Sequence, residues 1–334
     1  MDQVILAKEN GNDVSDMRTA YCEAMIELAE KDSRIVAVDA DLMSAMGMKP
    51  FAKQFPERTV DCGIQEANMI GVACGLSVWG KIPFAHTFGP FCTRRACDQI
   101  FMSGAYNKAN VKVVGSDPGI TAAYNGGTHM PFEDMGIMRG IPTMTVVEPT
   151  DIVMLKNLMP QIADTYGMFY MRLVRKGVRK VYEPGSTFTI GKAVHLREGK
   201  DVTIIASGYC VAEAISAAKI LQEQGISARV LNMFTWKPLD EQAVIEAAAE
   251  TGAIVTAENH NVINGLGSAV SEVLAKHNPA PVEMVGVQDE FGEVGPVDYL
   301  RERFGLTDEN IAAAVHRVLQ RKQSRRPSGL KEDN

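Results

Sequence analysis

Short apolar runs alternate with longer runs of helical periodicity along the first half of the chain, and this alternation constrains the fold more than any other feature. Strands buried on both faces read as continuous apolar runs, and parallel strands need a helical crossover between them. The pattern therefore predicts a mostly parallel sheet covered by helices on both faces. The predicted strands are 35–38, 60–63, 82–85, 111–114, 144–147 and 168–173, and the predicted helices are 15–31, 66–78, 91–106 and 152–162.

A second alternating unit follows a polar stretch rich in Pro and Gly at 179–186. A chain of 334 residues exceeds the roughly 250 to 300 residues over which a single core usually grows. We therefore expect two doubly wound α/β domains with mostly parallel sheets, at 1–180 and 187–322, joined by a linker at 181–186 and followed by a polar tail at 323–334. The second domain's predicted strands are 201–206, 228–232, 253–258 and 282–285, and its predicted helices are 211–224, 239–249, 265–276 and 308–320.

Charge and composition exclude several classes of function. A net charge of -7 argues against a nucleic-acid binder, which would carry a basic stripe. The sequence shows neither a basic leader followed by an apolar run nor about 18 consecutive apolar residues, so we expect a cytoplasmic protein without a membrane partner. Its six cysteines lack Cys-x-x-Cys spacing, which predicts free thiols and no metal site.

Several polar and aromatic residues come directly after predicted strands. In open α/β sheets, ligands bind beyond the carboxyl ends of the strands, where Asp41, Glu66, Phe88 and the segment 125–129 are expected to lie. Glu66 opens the helix 66–78. Taken alone, it is also explained as an acid in a first helical turn, which gains about 0.3 to 1 kcal/mol from the helix dipole.

The other candidate residues also have a purely structural explanation when each is taken alone. Phe88 and Phe91 fit plain core packing as well as ligand stacking. His129 follows two glycines that would let a ligand approach the backbone closely, but a histidine in such a loop is often structural. Arg172 and Arg175 suit anion binding because a guanidinium donates two parallel hydrogen bonds, whereas arginines at strand ends are commonly just solvated.

Taken together, these segments resemble a known family in both order and spacing. They are similar to the pyrimidine-binding half of transketolases, which use thiamine diphosphate, and the resemblance continues into a transketolase carboxy-terminal domain. It covers nearly the whole chain. The segments that carry it are Asp61-Cys-Gly-Ile-Gln-Glu66, His86-Thr-Phe88-Gly-Pro-Phe91, Tyr124-Asn-Gly-Gly-Thr-His129-Met-Pro131, Glu148-Pro-Thr150 and Arg172-Leu-Val-Arg175.

The resemblance assigns roles around the cofactor. It implies that Glu66 bonds the ring nitrogen of the cofactor's pyrimidine and that Phe88 and Phe91 pack against that ring. Asp41 is assigned to the same cofactor site. His129 matches the histidine that contacts the donor's carbonyl and hydroxyl oxygens, where it can donate to a developing oxyanion or shuttle a proton. The resemblance thus makes Glu66 and His129 the expected catalytic residues.

The resemblance also implies a phosphorylated sugar substrate. Arg175 matches a phosphate-binding arginine of the family, and the other substrate residues it suggests are Arg172, Arg18, Ser44, Asn125 and His86. The chain departs from the family at three positions that bear on the substrate. Ser116-Asp117 stand where transketolases have His-Asp, Asn125 replaces an Asp that reads a substrate hydroxyl, and Arg94 stands where Tyr is common.

One motif of the family does not occur in these 334 residues: the Gly-Asp-Gly that is followed by an Asn and binds diphosphate and Mg²⁺. The resemblance therefore implies a complementary amino-terminal subunit that supplies the diphosphate and Mg²⁺ ligands, in a two-plus-two heterotetramer. The expected reaction moves a two-carbon ketol unit from a ketose phosphate to an aldose. Three alternatives stay open at this point: the beta subunit of a 2-oxoacid dehydrogenase, an enzyme like deoxyxylulose-phosphate synthase, and a non-catalytic scaffold.

Overall fold

Two mostly parallel sheets organise the chain, as predicted. The computed structural model describes residues 2–8, 11, 13 and 15–324. The first sheet has seven strands in the order β10-β5-β6-β4-β3-β1-β2, all parallel except β10, which runs antiparallel to β5. Its strands are β1 (Ile35–Asp39), β2 (Thr59–Asp61), β3 (Ile82–Phe88), β4 (Lys112–Ser116), β5 (Thr145–Val147), β6 (Phe169–Leu173) and β10 (Thr235–Lys237).

The central strands of this sheet are buried at every position, as strands covered on both faces must be. This holds for β1, β3, β4 and β6. The α-helices of this half, among the described residues, are α1 (Met17–Lys31), α2 (Lys49–Gln54), α3 (Glu66–Val78), α4 (Gly89–Thr93), α5 (Cys97–Gln99), α6 (Asp134–Gly140) and α7 (Ile152–Asp164). Asp151 caps α7 by accepting a hydrogen bond from the Met154 amide.

The second sheet has five strands in the order β12-β11-β8-β9-β7. Only β7 is antiparallel to its neighbour, β9. Its strands are β7 (Val194–Arg197), β8 (Val202–Ala206), β9 (Ala228–Asn232), β11 (Ile254–Asn261) and β12 (Val282–Val287). Its helices are α8 (Cys210–Glu223), α9 (Glu241–Thr251), α10 (Leu266–His277), α11 (Val297–Arg303) and α12 (Asp308–Ser324).

The predicted helix 91–106 is interrupted in the structure by a turn at 94–96, and most of its second part is a π-helix. α4 ends at Thr93, α5 is a single turn, and a π-helix spans Ile100–Tyr106. Inside the π-helix, a Cβ on Gly104 would lie 2.6 Å from the Met168 side chain, so the helix packs closely against the chain before β6. Such π segments often occur near functional sites.

The sequence patterns also miss five short or edge elements: β7, β10, α2, α6 and α11. β10 belongs to the second half of the sequence but pairs with β5 of the first sheet, which joins the two halves. The predicted linker 181–186 is packed at its start, where Val181 and Tyr182 are buried and both amides donate to Asp151 Oδ2, whereas Pro184 and Gly185 are exposed. The predicted tail is helical up to Ser324, and 325–334 lie outside the described residues.

All six cysteines are free thiols. In the part of the chain that the structure describes, no group of three or more His, Cys, Asp or Glu side chains could hold a metal ion. The described helices include none that is both long and apolar enough to cross a membrane.

Candidate active site

The candidate site lies at the edge where the parallel strands of the first sheet end. Glu66 begins α3 directly after β2, and Phe88 is the last residue of β3. Arg175 comes just after β6, and the segment that carries His129 follows β4. Because the strands are parallel, residues far apart in sequence meet at one edge.

Glu66 is buried, with 1% of its surface exposed. Its Oε1 accepts a 2.7 Å hydrogen bond from Arg95 Nη1, whereas Oε2 is buried without a hydrogen-bond partner among the described residues. A buried carboxylate oxygen without a partner is costly, and a ligand atom that donates a hydrogen bond to Oε2 would remove that cost. The ring nitrogen of a pyrimidine fits this requirement, as the resemblance implies.

Three aromatic side chains form a cluster beside Glu66. The His129 ring centroid lies 5.0 Å from that of Phe91 and 5.8 Å from that of Phe88, and the two phenylalanine centroids are 5.9 Å apart. Phe91 is also covered by the guanidinium of Arg95, whose carbon is 4.3 Å from the ring centroid. The cluster offers an apolar surface of the kind that stacks against a heteroaromatic ring.

Contacts with the second domain hold the segment that carries His129. Asn259, on β11, accepts a hydrogen bond from the Ile120 amide and donates one to the Pro118 carbonyl. Gly119 has φ +48, and a Cβ there would lie 2.1 Å from Asn259 Oδ1. A Cβ on Gly127 would likewise lie 2.2 Å from the Gly292 carbonyl oxygen. Both glycines therefore permit a close approach that other residues would block.

Two arginines lie at the other end of the cluster. Arg175 Nε donates a 3.0 Å hydrogen bond to Asp117 Oδ1, and its guanidinium carbon is 5.2 Å from the Phe88 ring centroid. The Arg18 amide donates to the Arg175 carbonyl, so the two residues are neighbours. Burial raises the pKa of Asp117, and the charge of Arg175 offsets part of that rise. The Nη groups of Arg175 make no hydrogen bond within the described structure and can bind an anion.

Three further predicted residues lie at the same edge but are exposed. Asp41 and Ser44 belong to the loop after β1, where the Asp41 amide donates to Asp61 Oδ1 and Arg18 Nη1 donates to the Ala45 carbonyl. Asn125 ends the 3-10 segment Gly119–Asn125. No side-chain hydrogen bond within the described residues joins Asp41, Ser44 or Asn125 to the aromatic cluster.

The contacts of His86 do not support the substrate role predicted for it, because both ring nitrogens face buried side chains of the fold. His86 lies within β3 and is 1% exposed. Its Nε2 is 3.2 Å from Asp39 Oδ2, and Nδ1 is 3.5 Å from the Tyr21 hydroxyl. Asp39 Oδ1 accepts a 2.6 Å hydrogen bond from the Leu42 amide. His86 therefore supports the base of the loop that carries Asp41 and Ser44 and does not itself face a ligand.

The substrate role predicted for Arg172 is also wrong. The residue is fully buried, forms two hydrogen bonds with Asp134 and one with Glu148, and donates to the Pro131 carbonyl. Burial alone would lower the pKa of Arg172, but the charges of Asp134 and Glu148 outweigh it and raise that pKa. Glu148 also accepts a hydrogen bond from Ser207 of the second domain. Arg172 therefore connects the two domains.

Replacing Arg172 with Met is expected to lower the free energy of unfolding by about 3 to 5 kcal/mol, because Asp134 and Glu148 would stay buried without a counter-charge. Urea unfolding of the purified chain measures this. An exposed arginine paired with a neighbouring acid, Arg34 with Asp32, provides the control, and Arg34→Met should change stability by less than about 1 kcal/mol. Equal small losses in both variants would contradict the role given to Arg172.

The sequence-based assignment gives no role to Arg95, which binds Glu66, or to Asp117, which holds Arg175. A spacing signal for Arg95 does exist. It follows Phe91 by four residues at the end of a helix, and this spacing places two side chains on one face. For Asp117, the resemblance shows a matching Asp in the family, but the sequence gives no sign of the contact with Arg175, because that contact joins the ends of two different strands.

Comparison with known proteins identifies the family of both halves of the chain. The family model described as the transketolase pyrimidine binding domain matches residues 13–180, and the model of the transketolase C-terminal domain matches residues 191–311. Family membership implies dependence on thiamine diphosphate.

Similar proteins include both separate subunits and a full-length enzyme. The 6-deoxy-6-sulfo-D-fructose transketolase subunit SqwH of Clostridium sp. (strain MSTE9) is 55% identical over 309 residues, which cover 92% of this chain and 96% of that protein. One subunit of the apulose-4-phosphate transketolase of Phocaeicola vulgatus is 37% identical over 90% of this chain and 96% of its own length. Human transketolase is 33% identical over 90% of this chain, which covers 49% of the human protein.

A solved structure extends the comparison to the fold. A split gene transketolase, described as an inactive beta4 tetramer, superposes with a TM-score of 0.87 and 44% identity, covering 93% of this chain and 100% of that one. The chain thus belongs to the transketolase family and has the domain content of a split-transketolase subunit.

Proposed function

We propose that this subunit works with a second, diphosphate-binding subunit to transfer a two-carbon ketol unit from a ketose with a terminal anionic group to an aldose. The observation that carries the proposal is the order of groups along the site. Arg95 joins Glu66 to Phe91 at one end, His129 contacts both Phe91 and Phe88 in the middle, and the free Nη groups of Arg175 lie beyond Phe88. A bound sugar could reach both ends at once.

Each residue near the cofactor has a definite task in this proposal. Thiamine diphosphate, when bound, supplies the nucleophilic thiazolium carbon that cleaves the bond beside a ketone. Glu66 Oε2 holds the pyrimidine ring nitrogen, and Phe88 and Phe91 fix the plane of the ring. His129 donates a hydrogen bond to the donor's oxygen or moves its proton. The second subunit would hold the diphosphate and Mg²⁺.

The anionic end of the substrate is either a phosphate or a sulfonate. The family resemblance implies a phosphate, whereas the name of the 55% identical relative specifies a 6-sulfo sugar. Both groups present oxygen atoms to which a guanidinium can donate. Asp117 orients Arg175 by accepting a hydrogen bond from Nε, and both Nη groups are left without a hydrogen bond in the described structure.

Exposed apolar side chains at the two ends of α3 and on the π-helix that packs against it support the proposed second subunit. We call this set of residues the α3 face. Trp79 is 87% exposed and Val78 is 85% exposed. Apolar surfaces of this kind usually mark protein contacts. The residues of the α3 face are Ile64, Val78, Trp79, Phe101, Met102 and Tyr106.

Arg175→Ala should lower kcat/KM by roughly ten- to a hundred-fold for anionic ketoses, because one charged hydrogen bond is worth about 1.5 to 3 kcal/mol. Hydroxypyruvate has no distal anion, so its kcat/KM should change little. Steady-state assays of the assembled enzyme would compare fructose 6-phosphate, 6-deoxy-6-sulfofructose and hydroxypyruvate.

The donor whose kcat/KM falls more in Arg175→Ala, phosphate or sulfonate, identifies the anionic group that Arg175 binds. Arg34→Ala serves as the control for loss of an exposed arginine. Equal losses on all three donors would contradict the anion-binding role. Turnover of branched 2-oxoacids in place of sugars would contradict the transketolase reaction itself.

A further inference from the structure

Arg95 contacts two groups of the cofactor site at once. It follows α4, its guanidinium carbon is 4.3 Å from the Phe91 ring centroid, and its Nη1 is 2.7 Å from Glu66 Oε1. The same side chain therefore fixes the aromatic surface and one oxygen of the carboxyl group. Arg95 has no task in the proposed binding of substrate, cofactor or partner.

The two side chains of the Arg95–Glu66 ion pair are buried to different extents. The Glu66 side chain is 2% exposed, and the Arg95 side chain is 48% exposed. A carboxylate buried without a cation takes up a proton rather than remain charged. A guanidinium at hydrogen-bond distance stabilises the charged form instead, and it does so more strongly where water is excluded.

The two oxygens of Glu66 are thereby divided between two tasks. Oε1 is occupied by Arg95, and Oε2 is buried without a partner in the described part of the chain. An ionised carboxylate can only accept hydrogen bonds, so a ring nitrogen that binds Oε2 must carry the proton. A neutral carboxylic acid would donate instead, to an unprotonated nitrogen. The two arrangements place the same heavy atoms together and differ only in the position of one proton.

We propose that Arg95 is a positioning residue that keeps Glu66 ionised and reserves Oε2 for the cofactor, so that the proton of their shared hydrogen bond resides on the pyrimidine ring nitrogen. This inference rests on the proposed function, since it requires the assembled enzyme to bind thiamine diphosphate. The proton moves between Glu66 and the ring nitrogen, and no other reactant is needed.

Nitrogen-15 NMR of the assembled enzyme tests the proton's position, with thiamine diphosphate labelled at the pyrimidine nitrogen that faces Glu66. At one fixed neutral pH, the wild type and Arg95→Lys should show the resonance of a protonated nitrogen, because both keep a cation beside Oε1. Arg95→Met should show the resonance of an unprotonated nitrogen. The control Arg34→Met, which removes an exposed arginine far from the site in sequence, should match the wild type.

Each result decides the inference. An unprotonated nitrogen in the wild type overturns it, and that measurement does not depend on whether any variant folds. A protonated nitrogen in Arg95→Met also overturns it, since the cation would then be unnecessary. If the wild-type complex fails to bind the labelled cofactor, the proposed function falls together with this inference. If the wild-type complex binds the cofactor but the pyrimidine nitrogen is unprotonated, only the inference is overturned, and the proposed function is unaffected.

Discussion

Glu66→Gln in the assembled enzyme is expected to reduce kcat to less than a tenth of the wild-type value, a barrier increase of more than about 1.4 kcal/mol. A glutamine has nearly the same shape, and its carbonyl oxygen can still accept from Arg95. Its amide cannot share a proton with the pyrimidine nitrogen, which is the task given to Oε2. Steady-state kinetics at saturating cofactor measure the loss.

A second variant separates this effect from a general loss of charge. Glu57 is exposed in the 3-10 turn Pro56–Arg58, so Glu57→Gln should leave kcat unchanged. Thermal unfolding of both variants would check that the fold is kept. Retention of more than a tenth of wild-type kcat by a folded and assembled Glu66→Gln enzyme would remove Glu66 from the catalytic role.

The sequence predicts the sheets of this protein well because its central strands are buried on both faces. Apolar runs at β1 and β9 agree with the structure to within one residue, and α3 begins and ends at the predicted positions. The same pattern places Glu66 and Phe88 at strand ends. Because alternating strands and helices form a parallel sheet, ligands are expected at the edge where the strands have their carboxyl ends.

Contacts between distant segments are not encoded in such local patterns. Arg172 and Arg175 look equivalent in sequence, three residues apart at the end of one strand. Only the fold shows that Arg172 faces Asp134 and Glu148, whereas Arg175 faces the site. For His86, the sequence gives no sign that Asp39 and Tyr21 surround it.

Activity is expected only when this chain is combined with its diphosphate-binding partner. The site described by Glu66, Phe91 and His129 would bind the pyrimidine end of the cofactor, and the proposed partner would bind the diphosphate end with Mg²⁺. A cofactor held at one end should bind weakly and should not turn over. The relative described as an inactive beta4 tetramer is a precedent for a chain of this type without activity on its own.

The α3 face provides a variant that should separate assembly from chemistry. Trp79→Asp would place a charge in the proposed contact with the partner, where a buried tryptophan commonly contributes about 2 kcal/mol or more. The variant should assemble poorly and regain activity at high partner concentration. Glu66→Gln should behave in the opposite way, with normal assembly and low activity at any partner concentration.

Reconstitution is the deciding measurement: ketol transfer from an anionic ketose is assayed with this chain alone, with the diphosphate-binding subunit alone, and with both, each with thiamine diphosphate and Mg²⁺. We predict turnover only in the mixture, rising with partner concentration to a plateau at one partner per chain. Steady turnover by this chain alone would contradict its assignment as one half of a two-chain transketolase. The absence of turnover in a mixture that size-exclusion chromatography shows to be assembled would contradict the same assignment.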